Sequence, residues 1–446
     1  MSRRQAILEQ LRQYESPGVT YLPEGAQWPI VWERAKGMHV WDSAGNDYVD
    51  FTAAFGVAAG GHAAPPVVAA GKRQMGILLH AMGDVHPHPL KAALAARLSE
   101  LTFGRWNDAD HGKGGRVVFC NSGFESIEVA FKTACQATGR DGVISFDGAY
   151  HGLGYGALVG TSRPYFRGRF GGQVGQFGER VPFPESEADL ALVEERLEAL
   201  LRTNQFGAVL VEPIQGRGGI RVPPDGFLPM LRRLCDEFEV NLVFDEIYTG
   251  FGRTGQWFAC EHEGVEPDMI CLGKALTGGF PLSAMVGRAE LMERAWPKSP
   301  GEAVHTSTFL GHPVGCAMAL AQIELIERRR LVARSARQGK GLIRRLRVAL
   351  DGRPGVSIRG RGLMVGVVFA DANGKPDGAR SLGLVESLLH EGFLVLPDGE
   401  FGEVLGLTPP LIVSRGQIDS FVGCLSRLCS GRGSGRGKGG EAREFE

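Results

Sequence analysis

A lysine and an acid, each at the end of an apolar run, are the residues of this chain best able to do chemistry together. Lys274 follows Met269-Ile270-Cys271-Leu272-Gly273, and small residues come after it, in Ala275-Leu276-Thr277-Gly278-Gly279. Earlier in the chain, Asn241-Leu242-Val243-Phe244 ends in Asp245-Glu246. A desolvated lysine is a nucleophile and a base, and it condenses with an aldehyde to form a Schiff base. A carboxylate can hold a proton on a pyridinium nitrogen. These are the two groups that pyridoxal phosphate chemistry requires of a protein.

Other stretches fit the same chemistry. Arg116–Cys120 reads as a strand, Asn121-Ser122-Gly123-Phe124 as a turn, and the residues from Glu125 onward as a helix with Ile127, Ala130, Phe131 and Ala134 on one face. A Ser-Gly turn feeding a helix offers free N–H groups and the positive end of the helix dipole to a phosphate. Simple capping by Ser122 explains the turn equally well when it is taken alone. Beside the lysine and the aspartate, the phosphate reading is the better one. Tyr150, past the strand 142–146, could lie flat on a planar ring, although loop aromatics more often have no such role. His151 is a weaker prospect as a base. Glu212 ends the strand 207–211 and points toward the same edge. Its bland alternative is an ion pair with Arg217 or Arg221.

Two patterns are decoys. Gly250-Phe251-Gly252-Arg253-Thr254-Gly255 has the spacing of a dinucleotide fingerprint, but it lies too far past its strand and no clear helix follows. His80, His86 and His88 stand among prolines without the spacing of a metal site, so no metal is expected.

The elements that must position these residues alternate. Strands are expected at 116–120, 142–146, 207–211, 241–245, 268–272 and 283–287. Helices are expected at 90–102, 125–138, 188–203 and 226–238. This alternation implies an α/β fold with a mostly parallel central sheet flanked by helices, and ligands bind at the carboxyl ends of such strands. Before it come a helix over 1–14 and a hairpin whose arms, 40–42 and 47–51, flank Ser43–Asn46. After it, 313–350 reads as one long helical region and 355–425 as a smaller α+β unit. The end of the chain is Gly-rich and charged, which predicts disorder over 430–446.

Composition limits the partners. The chain has 446 residues, 22% of them charged, and a net charge of -1, which points to neither nucleic acid nor an anionic membrane surface. No run approaches the roughly 20 apolar residues of a membrane span. The N-terminus lacks the pattern of a signal peptide. Eight cysteines without a Cys-x-x-Cys pair read as free thiols in a reducing cytoplasm.

At this point the chain resembles a known family, the class III (ω-type) aminotransferases of the type I pyridoxal phosphate fold. Phe244–Gly255, Asp268–Leu282, His305–Pro313, Gly360–Met364 and Pro409-Pro410-Leu411 carry the resemblance, in the family's order, between about 28 and 425. It implies amino-group transfer from an amine or amino acid to a keto acid or aldehyde. A racemase or epimerase on the same scaffold is the alternative. It implies pyridoxal 5'-phosphate as cofactor, with Lys274 as the Schiff-base residue and Asp245 on the ring nitrogen. Tyr150 and Ile247 would then cover the two ring faces, and Ser122, Gly123 and Phe124 would hold the phosphate. Tyr248 stands where the family often has Gln beside the ring hydroxyl. It further implies a homodimer in which Thr308 reaches the other subunit's cofactor. Residues 1–62 would contribute to the small domain, 63–312 would form the large domain and 313–429 the rest of the small one. Glu212, Trp28 and Phe55 are the expected substrate contacts. Many members carry Arg where Gly406 stands, pairing with the glutamate that matches Glu212 or with a substrate carboxylate. Here that arginine is missing.

Overall fold

The computed structural model describes residues 1–23, 28–106 and 114–430. The helix Arg3–Tyr14 opens the chain. A four-stranded sheet follows, made of β1 (Trp32–Lys36), β2 (His39–Asp42), β3 (Asp47–Asp50) and, from far along the chain, β13 (Phe393–Leu394). The β2–β3 hairpin turns where expected because Asp42 Oδ1 accepts from the N–H groups of Ala44 and Asn46, each at 2.9 Å. β13 lies parallel to β3, with Phe393 opposite Val49. The N-terminal stretch is therefore hydrogen-bonded to the last quarter of the chain.

The central sheet has seven strands in the order β4 (Gly115–Cys120), β10 (Ser283–Arg288), β9 (Met269–Leu272), β8 (Asn241–Asp245), β7 (Phe206–Val211), β5 (Gly142–Phe146) and β6 (Gly178–Val181). β10 alone runs against the others, antiparallel to both β4 and β9. β7, β8 and β9 are buried along their whole length. That is why they read as unbroken apolar runs: helices cover both faces of the sheet. A third sheet, β11 (Val356–Arg361), β12 (Met364–Phe369), β15 (Val404–Leu407) and β14 (Leu396–Asp398), is antiparallel throughout.

Two local features differ from expectation. The region 313–350 is two helices, Pro313–Arg328 and Leu331–Ala349. Arg330 breaks it with a left-handed φ of 49°. No Gly or Pro marks that turn, so helical spacing in the sequence runs straight through it. β6 was not anticipated, because this edge strand buries only Val181 and so lacks an apolar run. Of the tail expected to be disordered, residues 431–446 lie outside the described residues.

Candidate active site

The chemistry-bearing residues gather at one edge of the central sheet. Asp245 ends β8, Glu212 follows β7, Ser122 and Lys274 lie two residues beyond β4 and β9, and Tyr150 and His151 lie a few residues beyond β5. All five strands run the same way, so their carboxyl ends share this edge. β10 runs the other way and brings its first residue there: Ser283 Oγ donates to the Ser122 carbonyl at 2.6 Å. The sequence reading missed Ser283, since its place depends on the reversed strand.

Asp245 is nearly buried and doubly held. Its Oδ1 accepts from the Ile247 N–H at 3.0 Å, and its Oδ2 lies 2.7 Å from His151 Nδ1. His151 is itself buried, and its Nε2 has no partner among the described residues. The sequence reading gave His151 little weight. The usable signal was its place past a strand end two strands from Asp245, with only β7 between.

Lys274 takes a left-handed φ of 43°. Its Nζ stands 4.1 Å from the centroid of the Tyr248 ring. Burial pushes the Lys274 pKa down, and the negative charges of Asp245 and Glu212 partly oppose that. Tyr248 is clamped: a Cβ on Gly56 or Gly216 would fall 2.5 or 2.3 Å from its ring. The phenol oxygen is 3.1 Å from Thr408 Oγ1, and burial pushes its pKa up to about 12. Ile247 lies against both Gly123 and Gly273, which joins the Ser122 turn to the Lys274 loop. Tyr150 presents its ring to Phe166 in a T-shaped contact, with centroids 5.7 Å apart.

Glu212 makes neither ion pair considered for it. Its two oxygens accept from the N–H groups of Tyr150 at 3.0 Å and Gly216 at 2.8 Å. Burial pushes its carboxyl up to about 7. Arg221 lies 3.4 Å from Glu185 instead, and Arg217 pairs with Asp398 at 2.8 Å.

At the turn after β4, the Glu125 carboxylate accepts from the N–H groups of Asn121 and Ser122. Ser122 Oγ is buried and turned toward the Glu125 N–H as in a capping box, but among the described residues it completes no hydrogen bond. The N–H groups of Gly123 and Phe124 open the helix Gly123–Thr138, so no partner within the helix awaits them. Phe124 packs against Gly152 and Gly154. Thr308 is exposed, in a loop whose Ser307 Oγ accepts from Asn121 Nδ2 at 3.2 Å. Trp28 and Phe55 lie on the wall of one apolar cavity of about 360 Å³, with Thr52, Leu394 and Leu396. Phe55 neighbours Gly56, which touches Tyr248.

The fingerprint-like glycines do other work. Gly252 and Gly255 both take left-handed φ, and they lie against Val332 and Ala336 of the helix Leu331–Ala349. The buried Arg253 between them donates to the carbonyls of Leu363 and Pro409.

A mostly parallel sheet that collects a half-buried lysine, an aspartate and a helix-opening Ser-Gly turn at one edge defines a pyridoxal-phosphate-dependent enzyme of fold type I. The chain belongs to the class III aminotransferases: the family model "Aminotransferase class-III" matches residues 20–429. It is 38% identical to the acetylornithine aminotransferase of Methanopyrus kandleri, over 89% of this chain and 93% of that protein. It is 36% identical to the 4-aminobutyrate aminotransferase of Mycobacterium tuberculosis, over 87% of this chain and 88% of that protein. Among solved structures it is similar to an ornithine aminotransferase from Toxoplasma gondii, described with pyridoxal phosphate at partial occupancy in its active site. That likeness has a TM-score of 0.82 and 30% identity, and it covers 95% of this chain and 94% of the other. The chain is thus a pyridoxal-phosphate-dependent aminotransferase, and nothing in these likenesses favours a racemase or epimerase. Among the described residues, no helix is long and apolar enough to cross a membrane.

Proposed function

We propose that Lys274 and Asp245 carry the amino-group transfer, with an amine or amino acid as donor and a keto acid or aldehyde as acceptor. The observation that carries this reading is their convergence: β8 and β9 are adjacent and in register, with Asp245 opposite Cys271, so lysine and acid open onto one space. Bound there, pyridoxal phosphate supplies an electron-withdrawing ring on which amine and carbonyl interconvert. Lys274, whose pKa burial pushes down, takes a proton from the carbon beside the substrate nitrogen and returns one. Asp245 keeps a proton on the ring nitrogen. His151 fixes the orientation of that carboxylate from behind.

Several features fit the group. The unpartnered Ser122 Oγ and the free N–H groups of Gly123 and Phe124 suit a phosphate. Ile247, packed on Gly123 and Gly273, suits one ring face and Tyr150 the other. Tyr248, beside Lys274 Nζ, suits the ring hydroxyl. For substrate we propose the cavity lined by Trp28 and Phe55 as the seat of an apolar body, and Glu212 as the contact for a polar donor group. We also propose a homodimer in which Thr308 reaches the cofactor of the other subunit. Ile77, Leu79, Met82, Val85 and Phe309 expose apolar surface beside that loop, consistent with a covered face. The division into residues 1–62 with 313–429 and residues 63–312 is proposed on the pairing of β13 with β3. A cytoplasmic setting is proposed on the eight free cysteines.

The test is a single turnover of the cofactor-loaded protein against a panel of amines and amino acids, followed in the visible spectrum. At least one donor should bleach the bound cofactor, and a keto acid should restore it. A loaded protein inert to every donor would refute the reading. Light scattering tests the dimer.

A further inference from the structure

Beside the site lies an ion pair that the transfer itself does not use. Asp398, at the end of β14, is buried, and Arg217 Nη1 donates to its Oδ1 at 2.8 Å. The carbonyl of Arg217 accepts from the Gly399 N–H at 3.1 Å, so backbone and guanidinium are docked on the same turn. Arg217 is also tied to the catalytic lysine. It directly follows Gly216, which lies against the Tyr248 ring, and Lys274 Nζ lies 4.1 Å from that ring's centroid. Unlike Asp398, Arg217 keeps a third of its side chain exposed.

The charges around Asp398 do not balance. Arg217, Arg163 and Lys274 all act on this one buried carboxylate. Arg217 has only Asp398 as an ion-pair partner among the described residues. The position facing Asp398 is Gly406, where a Cβ would fall 2.1 Å from Asp398 Oδ2. Asp398 fills the space a side chain there would need, and from that position it holds Arg217.

We propose that Arg217 binds a carboxylate of the substrate beside Lys274, with Asp398 as the partner it leans on when no substrate is present. This rests on the aminotransferase site described above and adds the side chain that selects acidic substrates. A guanidinium already held on one side has a free edge for a second carboxylate, and the fork suits bidentate pairing. Asp398 competes with that carboxylate, so the two members of the pair should act in opposite directions.

The experiment measures binding of glutarate and of butanoate, neither of which can react, to the cofactor-loaded enzyme by calorimetry. Arg217→Met should weaken glutarate by about 10- to 100-fold, and Arg217→Lys by less. Asp398→Asn should tighten it by several-fold, because it frees the guanidinium. A loss for both probes puts Arg217 on the carboxylate next to the reacting carbon; a loss for glutarate alone puts it on the distal one. If both pair members weaken binding alike, or if Arg217→Met and Arg217→Lys change nothing, the proposal is overturned. Should Arg217→Met not fold, the opposite signs of Arg217→Lys and Asp398→Asn carry the test. A wild-type protein that takes up no pyridoxal phosphate would instead refute the assignment of the site, and its visible spectrum reports this before any glutarate is added.

Discussion

The two sides of the active site are built differently. On the proposed cofactor side, Ser122, Asp245 and Lys274 each sit within two residues of a strand end in one sheet. Backbone pairing of neighbouring strands sets their spacing. On the substrate side, Arg217 meets Asp398 across 181 positions of sequence, and Gly406 comes from a different sheet altogether. A site wall fixed by adjacent strands resists change, whereas a wall assembled from a loop and a second, separate sheet can alter what it binds without disturbing the central sheet. On the roles proposed above, chemistry is held by the first and selectivity by the second.

The largest expected effect breaks the cofactor side at its centre. Lys274→Ala should lower the single-turnover rate by at least about 10⁴-fold, since it removes both base and nucleophile. The visible band of covalently held cofactor should vanish with it. A variant with near-normal turnover would end the assignment. Asp245→Asn should cost about 10²–10³-fold, the scale on which one preorganised electrostatic group contributes. Stopped-flow rates with a single donor measure this. A loss under tenfold would show that the carboxylate is not on the ring nitrogen.

The same division explains what could be read from the sequence. The apolar runs that end in Asp245 and lead to Lys274 are visible because both faces of β8 and β9 are buried. The Ser122 turn is visible because a strand, a Ser-Gly pair and a helix follow one another directly. His151 was undervalued because its partner lies 94 positions away. Arg217 was read only as a possible partner for Glu212. Its true partner, Asp398, lies on a three-residue strand with no periodicity to announce it. Glu212 was expected to lack an arginine at 406, with Arg217 or Arg221 as possible partners; among the described residues it forms no ion pair, and two backbone N–H groups occupy it instead. Hydrogen bonds from loop backbone leave no mark on a one-dimensional pattern.

A smaller effect separates two adjacent acids. Asp245 faces the site; Glu246, next along, accepts from the N–H groups of Ala259 at 2.9 Å and Cys260 at 2.8 Å, inside the core. Burial raises the Glu246 carboxyl from 4.5 to about 7. The folded protein therefore holds this proton more tightly than the unfolded chain. Between about pH 4.5 and 7 the folded state binds more protons, so stability falls as pH rises through that window, by about 3 kcal/mol in full above it. Glu212, raised to about 7, and Asp398, raised to about 6, act with the same sign. Urea midpoints of the holoenzyme at pH 5 and pH 8 should differ more in the wild type than in Glu246→Gln. Equal differences would mean that Glu246 is charged in both states.

The smallest expected effect sharpens the substrate side. Gly406 and Asp398 lie on neighbouring antiparallel strands, with Gly406 opposite Leu396. Gly406→Ala places a methyl where Asp398 Oδ2 now stands, so the carboxylate must move and Arg217 must follow or lose its partner. Overpacking of this kind costs about 1–3 kcal/mol. If the clash with Asp398 is the whole cause, Gly406→Ala should cost much less in an Asp398→Ala background, where the colliding atoms are gone. The coupling between the two changes should then be about 0.5–3 kcal/mol, read from the four denaturation midpoints of a double-mutant cycle. Strict additivity would show that position 406 is small for another reason, such as its opposite neighbour Gly366 on β12, and that Asp398 does not depend on the missing side chain for its place.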